Sequence, residues 1–264
     1  MKNRILFLIL SIATINAFGQ TGFHAGLNAG FNSVWIVNQN IYGYKELDYT
    51  RTFGVVPGVA LGYNFTDNMG VQLELNYAPV GQDYFDVSSS FSLADDGQGK
   101  RLKVETFRYV DLNYLSIPIL FRYQSTRAKK SIISYHLMVG PTIGLLLSAD
   151  QTFEADVFDD GNIITLDNSI ILDTVVADFA KTSEIEPAED YFSKLDFGFS
   201  ADAGVDIYIN DNLFVTPAIK VYYGLTDINS EPTRNVQGYA SSHNFFGGIY
   251  VGIHYMFPAK GDSK

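Results

Sequence analysis

Eight stretches of this chain alternate apolar with polar residues, and the connections between them run long, short, long, short, long, short, long. The long connections are residues 34–51, 83–102, 150–192 and 227–243, and the short ones are 64–68, 125–130 and 210–212. Sequential antiparallel strands closed into a cylinder place every long connection at one end and every tight turn at the other. The pattern therefore predicts an all-β fold, an eight-stranded antiparallel up-and-down transmembrane β-barrel.

Side chains at i and i+2 share a face of a strand, so a wall with lipid outside and a polar lumen inside has to alternate. Residues 71–77 alternate without error: Val71, Leu73, Leu75 and Tyr77 against Gln72, Glu74 and Asn76. Residues 197–209 set Phe197, Phe199, Val205, Ile207 and Ile209 against Ser200, Asp202 and Asp206. Residues 245–257 set Ile249, Val251, Ile253, Tyr255 and Phe257 against Gly248, Tyr250, Gly252 and His254. The other predicted strands are 23–31, 53–65, 109–123, 132–148 and 213–225. Thirteen residues at about 3.3 Å each and a tilt near 40° rise on the order of 30 Å, enough for an apolar band of about 25 Å.

Tyrosine and phenylalanine border the strands at both ends, as headgroup interfaces favour. Phe65, Phe121, Tyr123, Tyr135 and Tyr255 flank the short turns, and Trp35, Phe53, Tyr109, Tyr223 and Phe245 lie toward the long connections. Pro57, Pro118, Pro141 and Pro217 fall inside predicted strands. A closed barrel has no edge on which a missing N–H is harmless, so local bulges are expected there.

Residues 1–19 carry Lys2 and Arg4, an apolar run from Ile5 to Ala13, and Ala17-Phe18-Gly19. This is the plan of a secretory signal peptide, with the mature chain beginning near Gln20. The apolar run is about half of the roughly 20 residues a spanning helix needs. Elsewhere the chain has no uninterrupted apolar run of that kind, which excludes a helical membrane protein. Its 47% hydrophobic and 14% aromatic content is instead spread over alternate positions. There is no cysteine, so neither disulfides nor a lipidated cysteine enter the argument. No Pro-, Ser- or Gly-rich linker interrupts residues 20–264, which read as one barrel domain holding the long loop 150–192.

Tyr114-Leu115-Ser116-Ile117-Pro118 resembles the tyrosine, leucine, any residue, isoleucine, proline strand of the outer-membrane β-barrel domain family that includes the PorT-like proteins of Bacteroidetes. Val139-Gly140-Pro141-Thr142-Ile143-Gly144 resembles the strand that follows it, and Tyr223-Gly224-Leu225-Thr226-Asp227-Ile228 the end of strand seven. A leader closing in Phe-Gly-Gln is usual in that group. The resemblance implies an integral outer-membrane location and insertion by the barrel assembly machinery. It also raises an accessory part in type IX protein secretion. Phe257 is followed by seven further residues, so the aromatic terminus of many outer-membrane barrels is lacking and an internal signal is expected.

The lumen parity collects Glu74, Arg122, Asp202, Asp206 and Lys220. Eight strands leave an interior only wide enough for side chains to fill, and buried charges require partners. A charge-paired plug is expected, with Glu74 and Asp202 facing Arg122 and Lys220, rather than a pore. His24, His136 and His254 share that parity near the short-turn end and are weak metal candidates, since no carboxylate or thiolate sits at ligand spacing. Nothing in the sequence calls for a cofactor.

The third long connection, 150–192, holds twelve acids against Lys181 alone, a net of −11 that equals the net charge of the whole chain. Asp159-Asp160-Gly161-Asn162 is a turn signal between Val157-Phe158 and Ile163-Ile164, which predicts a projecting hairpin. Asp156, Asp159, Asp160, Asp167 and Asp173 could offer a surface for a divalent cation or an extracellular protein, or could simply be solvated. An EF-hand-like calcium loop does not fit, because Phe158 stands where an acid is needed. A rim enzyme would need a histidine beside Asp or Ser at the long-loop end, where His243 alone is placed. A pI near 4.7 disfavours nucleic acid. The sequence thus points to a non-enzymatic integral outer-membrane protein, structural or surface-binding through its loops, in contact with outer-membrane lipids.

Overall fold

The computed structural model describes residues 21–37, 47–50, 52–93, 102–125, 131–159, 162–164, 186–187, 189–234 and 241–257. Eight long strands form the wall: β1 Gly22–Val37, β3 Thr52–Asn64, β4 Met69–Leu93, β5 Leu102–Gln124, β6 Ile133–Asp159, β9 Leu195–Tyr208, β10 Leu213–Gly224 and β11 His243–Met256. Each pairs antiparallel with its sequence neighbour in the wall, and β1 pairs β11 from His24↔Met256 to Val37↔His243, which closes the cylinder. The sequence-predicted barrel is therefore present. Three short strands, β2 Leu47–Thr50, β7 Asn162–Ile164 and β8 Glu186–Pro187, attach to the long-connection end.

The wall alternates as the sequence requires. Along β4, Val71, Leu73, Leu75 and Tyr77 are exposed while Gln72, Glu74 and Asn76 are buried. Polar groups face inward because lipid offers a buried amide or carboxylate no hydrogen-bond partner, whereas another lumen side chain does. At the tight-turn end, Asn210 Oδ1 accepts the N–H groups of Asn212 and Leu213, and Thr66 Oγ1 accepts those of Asn68 and Met69. These short polar residues satisfy backbone donors in a two- or three-residue reversal, which is why those connections can be so brief.

Two expectations are corrected. Residues 83–102 are not a loop throughout, because β4 continues to Leu93 and β5 starts at Leu102. Likewise β6 continues to Asp159 within the predicted third loop. With 25 and 27 residues, β4 and β6 are each long enough to rise about 60 Å, roughly twice the apolar band. The predicted hairpin at the end of β6 is present, with Asp159↔Asn162 and Phe158↔Ile163 paired.

The interior changes character along the barrel axis. Its lower and middle parts are filled with polar side chains, whereas its upper part is an apolar cluster that includes Val34, Val80, Leu112, Tyr222, Phe246 and, from the loops, Phe192 and Ile228. Strands can continue above the membrane because they enclose a small hydrophobic core of their own, as in a soluble β-protein.

Three of the four prolines predicted inside strands each leave a two-residue interruption in pairing. These fall between Leu73 and Asn76 opposite Pro118, between Pro118 and Phe121 opposite Pro141, and between Val215 and Ala218 at Pro217. Register shifts fall elsewhere, between Ser88 and Leu93 on β4 and at Asn113/Tyr114, where Leu147 of β6 is passed over. The bulge reverses the inward parity of β6, from Thr142 below it to Ala149 above it.

Candidate functional site

The five predicted lumen charges do meet, and they meet in a ring. Lys220 Nζ lies 2.5 Å from Glu74 Oε2 and 3.8 Å from Asp202 Oδ2. His136 Nε2 lies 3.0 Å from Asp202 Oδ1, and its Nδ1 lies 3.1 Å from Asp206 Oδ1. Asp206 pairs with Arg122, whose Nη1 donates to Gln72 Oε1 at 3.4 Å. Gln72 Nε2 donates to Glu74 Oε1 at 2.8 Å, which returns the circuit to its start. The pairing differs from the simplest expectation, since Arg122 takes Asp206 while Lys220 takes both Glu74 and Asp202.

The ring member that the sequence did not place among the lumen charges is His136. It is the joint between two aspartates. The two ring nitrogens lie against carboxylate oxygens of different aspartates, and Nε2 is hydrogen-bonded to Asp202. Lys220 and Arg122 face Glu74, Asp202 and Asp206, with His136 between the two aspartates. Asn76 and Thr216 add donors at 2.9 and 3.0 Å to Glu74 and Asp206. All six members are buried. The arrangement sets a charge-paired plug across the lumen.

Below it, the rings of His24 and His254 lie 5.5 Å apart, with His254 stacked on Phe214 at 5.0 Å. A Cβ on Gly62 would fall 2.1 Å from His24 Nε2, so the absence of a side chain there makes room for the imidazole. Among the described residues, no group of three or more His, Cys, Asp or Glu is arranged to hold a metal ion.

The outer face marks where the membrane ends. Tyr77 Oη donates to Asn113 Oδ1 at 2.7 Å and Asn113 Nδ2 to Ser148 Oγ at 3.0 Å, a polar ladder across β4, β5 and β6 just above the apolar rows. One step higher, Asp111 stands directly opposite Asp150, with Asp83 on the adjoining strand. Partial burial, and then the Asp111 charge, raise the Asp83 carboxyl above its ordinary pKa; partial burial, and then the Asp150 charge, do the same to Asp111. Of the predicted acidic loop, Asp156 and Asp159 lie on β6, while Asp160, Asp167 and Asp173 lie outside the described residues.

The fourth long connection is tied to the rim. Asp227 Oδ1 accepts the N–H groups of Asn229 and Ser242 at 3.1 and 3.2 Å, and Arg234, on the helical turn α1 Glu231–Arg234, lies 3.3 Å from Asp227 Oδ2. Ser193 N donates to Ile228 O at 2.7 Å, joining the third connection to the fourth. His243 is held between Thr226 O at 3.0 Å from Nδ1 and Ser241 Oγ at 3.1 Å from Nε2. Ser241 was not singled out from the sequence, because a serine two residues before a histidine carries no distinctive signal.

The outer membrane protein beta-barrel domain family matches residues 18–230. The chain belongs to that family. With the closed wall, this makes the protein an outer-membrane β-barrel. No curated protein matches. Among solved structures, the Neisserial surface protein A is 13% identical, with 90% of this chain and 98% of that one covered and a TM-score of 0.41. OprG from Pseudomonas aeruginosa is 15% identical, with 90% and 97% covered and a TM-score of 0.42. Outer membrane protein W of E. coli is 15% identical, with 90% and 98% covered and a TM-score of 0.38.

Proposed function

We propose that this outer-membrane barrel is non-enzymatic and acts through its extracellular connections, as a structural or surface-binding protein. The observation that carries the reading is the double seal of the lumen, ionic in the middle and apolar above. A filled lumen of eight strands leaves the strand extensions and loops as the surfaces free to meet a partner. An extracellular protein or a divalent cation at the acidic third connection is the partner this reading favours; outer-membrane lipids surround the wall, and the barrel assembly machinery inserts it. Export by residues 1–19, with removal near Gln20, belongs to the same proposal.

The test replaces residues 160–185 with a short neutral linker in cells carrying no other copy. Loss of surface attachment or of calcium-dependent protease protection, with heat-dependent gel mobility intact, is the expected result. Unchanged attachment and protection would overturn the reading. A second reading, an accessory part in type IX secretion, rests on the PorT-like pattern of residues 114–123. It predicts that gene deletion retains secreted cargo in the cell, and normal secretion removes it.

A further inference from the structure

One seam of the wall is unlike the others. Hydrogen-bonded register between β3 and β4 runs from Asn64↔Gly70 up to Gly58↔Asn76 and stops there. Pairing on that side of β4 resumes only with β2, at Thr50↔Asp83. Residues 77–82 of β4 and 52–57 of β3 thus stand side by side without a ladder, although β3 remains fully paired with β1 up to Thr52↔Val34. Among the described wall residues, no other interruption leaves six residues of both strands unpaired: the break between Ser88 and Leu93 skips four residues of β4 and one of β5, and those beside Pro118, Pro141 and Pro217 span two residues each.

The sequence explains the gap. Pro57 and Pro79 have no N–H to donate, and they sit on the two strands that face each other here. The strands are not splayed, because a Cβ on Gly54 would fall 2.8 Å from Pro79 O. Side chains, rather than a backbone ladder, close the seam. Its outer lip is Phe53, Val55 and Tyr77, all exposed on the lipid side, and its inner lip is Val56, Ala78 and Val80, all buried. Val80 belongs to the upper apolar cluster, and Val56 and Ala78 pack with Tyr250. Both lips are apolar, and the seam lies directly beneath the polar level that Asp83 and Asp111 mark, in the outer-leaflet half of the band.

We propose that this seam is a lateral gate, through which a hydrocarbon chain passes between the outer leaflet and the apolar upper interior of the barrel. Elsewhere, parting the wall would strand several backbone N–H and C=O groups in lipid, a heavy cost. Here parting the strands breaks no ladder, and apolar lips separate onto an apolar chain. The ionic ring beneath blocks continuation toward the short-turn end, so the path runs sideways. The chain is either an acyl tail of a membrane lipid or a free apolar solute; both present the same chemistry to the lips.

The test uses the full barrel in phosphatidylcholine vesicles, with a bimane fluorophore on Val80→Cys in a V56C/A78C background oxidised before labelling. The protein has no native cysteine, so these are its only thiols. Phospholipid brominated on its acyl chains, and separately 1-bromododecane in unbrominated vesicles, serve as quenchers. We expect loss of bimane fluorescence after reduction of the disulfide and protection from that loss while it is intact. Quenching by brominated phospholipid identifies a lipid tail, and quenching by bromododecane alone identifies a free solute. Absence of reduction-dependent quenching by either overturns the gate. P57V/P79V, which restores both donors, should lower quenching in the Val80→Cys protein without the disulfide pair, and unchanged quenching in that variant, folded by gel mobility, would also overturn it.

Discussion

His136 and its two aspartates set what a single substitution does to this protein. A buried charge stripped of its partner is worse than no charge, so Lys220→Ala and His136→Ala should each lower unfolding stability by about 3–5 kcal/mol. Glu74→Gln combined with Lys220→Met should cost less than Lys220→Ala alone, because it removes both charges together. Urea midpoints in detergent or lipid check the order, and equal losses in the single and paired variants would contradict the ring. Gly62→Val carries a different penalty, since the new side chain enters the space of the His24 ring and should cost about 1–3 kcal/mol. Gly62→Val with His24→Ala should recover part of that. Five of the six ring members were legible in the sequence, because inward parity follows from alternation alone. Which of them meet across the lumen was not, because that depends on strand stagger, and so His136 read as a lone histidine.

At the scale of strands and connections, Asp83, Asp111 and Asp150 control the extension above the membrane. Burial and the facing carboxylates raise the Asp83 and Asp111 pKa values above those of an unfolded chain. The charged forms therefore destabilise the extension fully above the raised pKa, and the penalty is relieved as pH falls through it. Protease resistance of the segment around β4, β5 and β6 should rise modestly on mild acidification, and Asp111→Asn should raise it at neutral pH while flattening the pH response. A resistance that falls in both cases would refute the assignment. The extension itself was misread as loops at 83–102. Polar outward positions such as Asp83 and Asp111 signal the end of a lipid-facing row, and a strand that continues in water with an apolar inner face looks, from sequence, like a connection. The tight turns were legible because Asn210, Asn212 and Thr66 carry their own backbone-capping chemistry.

For the molecule as a whole, alternation, turn chemistry and aromatic borders all agreed on one closed sheet, and that agreement is why the fold was readable from one chain. The rim was less readable, because the contacts that join the third connection to the fourth, Ser193 to Ile228 and Phe192 to Asn229, form only when the two meet over it. The molecule is a wall of eight strands sealed along its axis by the ring of Glu74, Lys220, Asp202, His136, Asp206 and Arg122 and by the apolar cluster above. Ion conductance of the purified, folded protein in a planar lipid bilayer tests the seal most directly. A lumen sealed in this way passes no steady unitary current in the intact chain at neutral pH, and reproducible ohmic channels from correctly folded protein would contradict the seal.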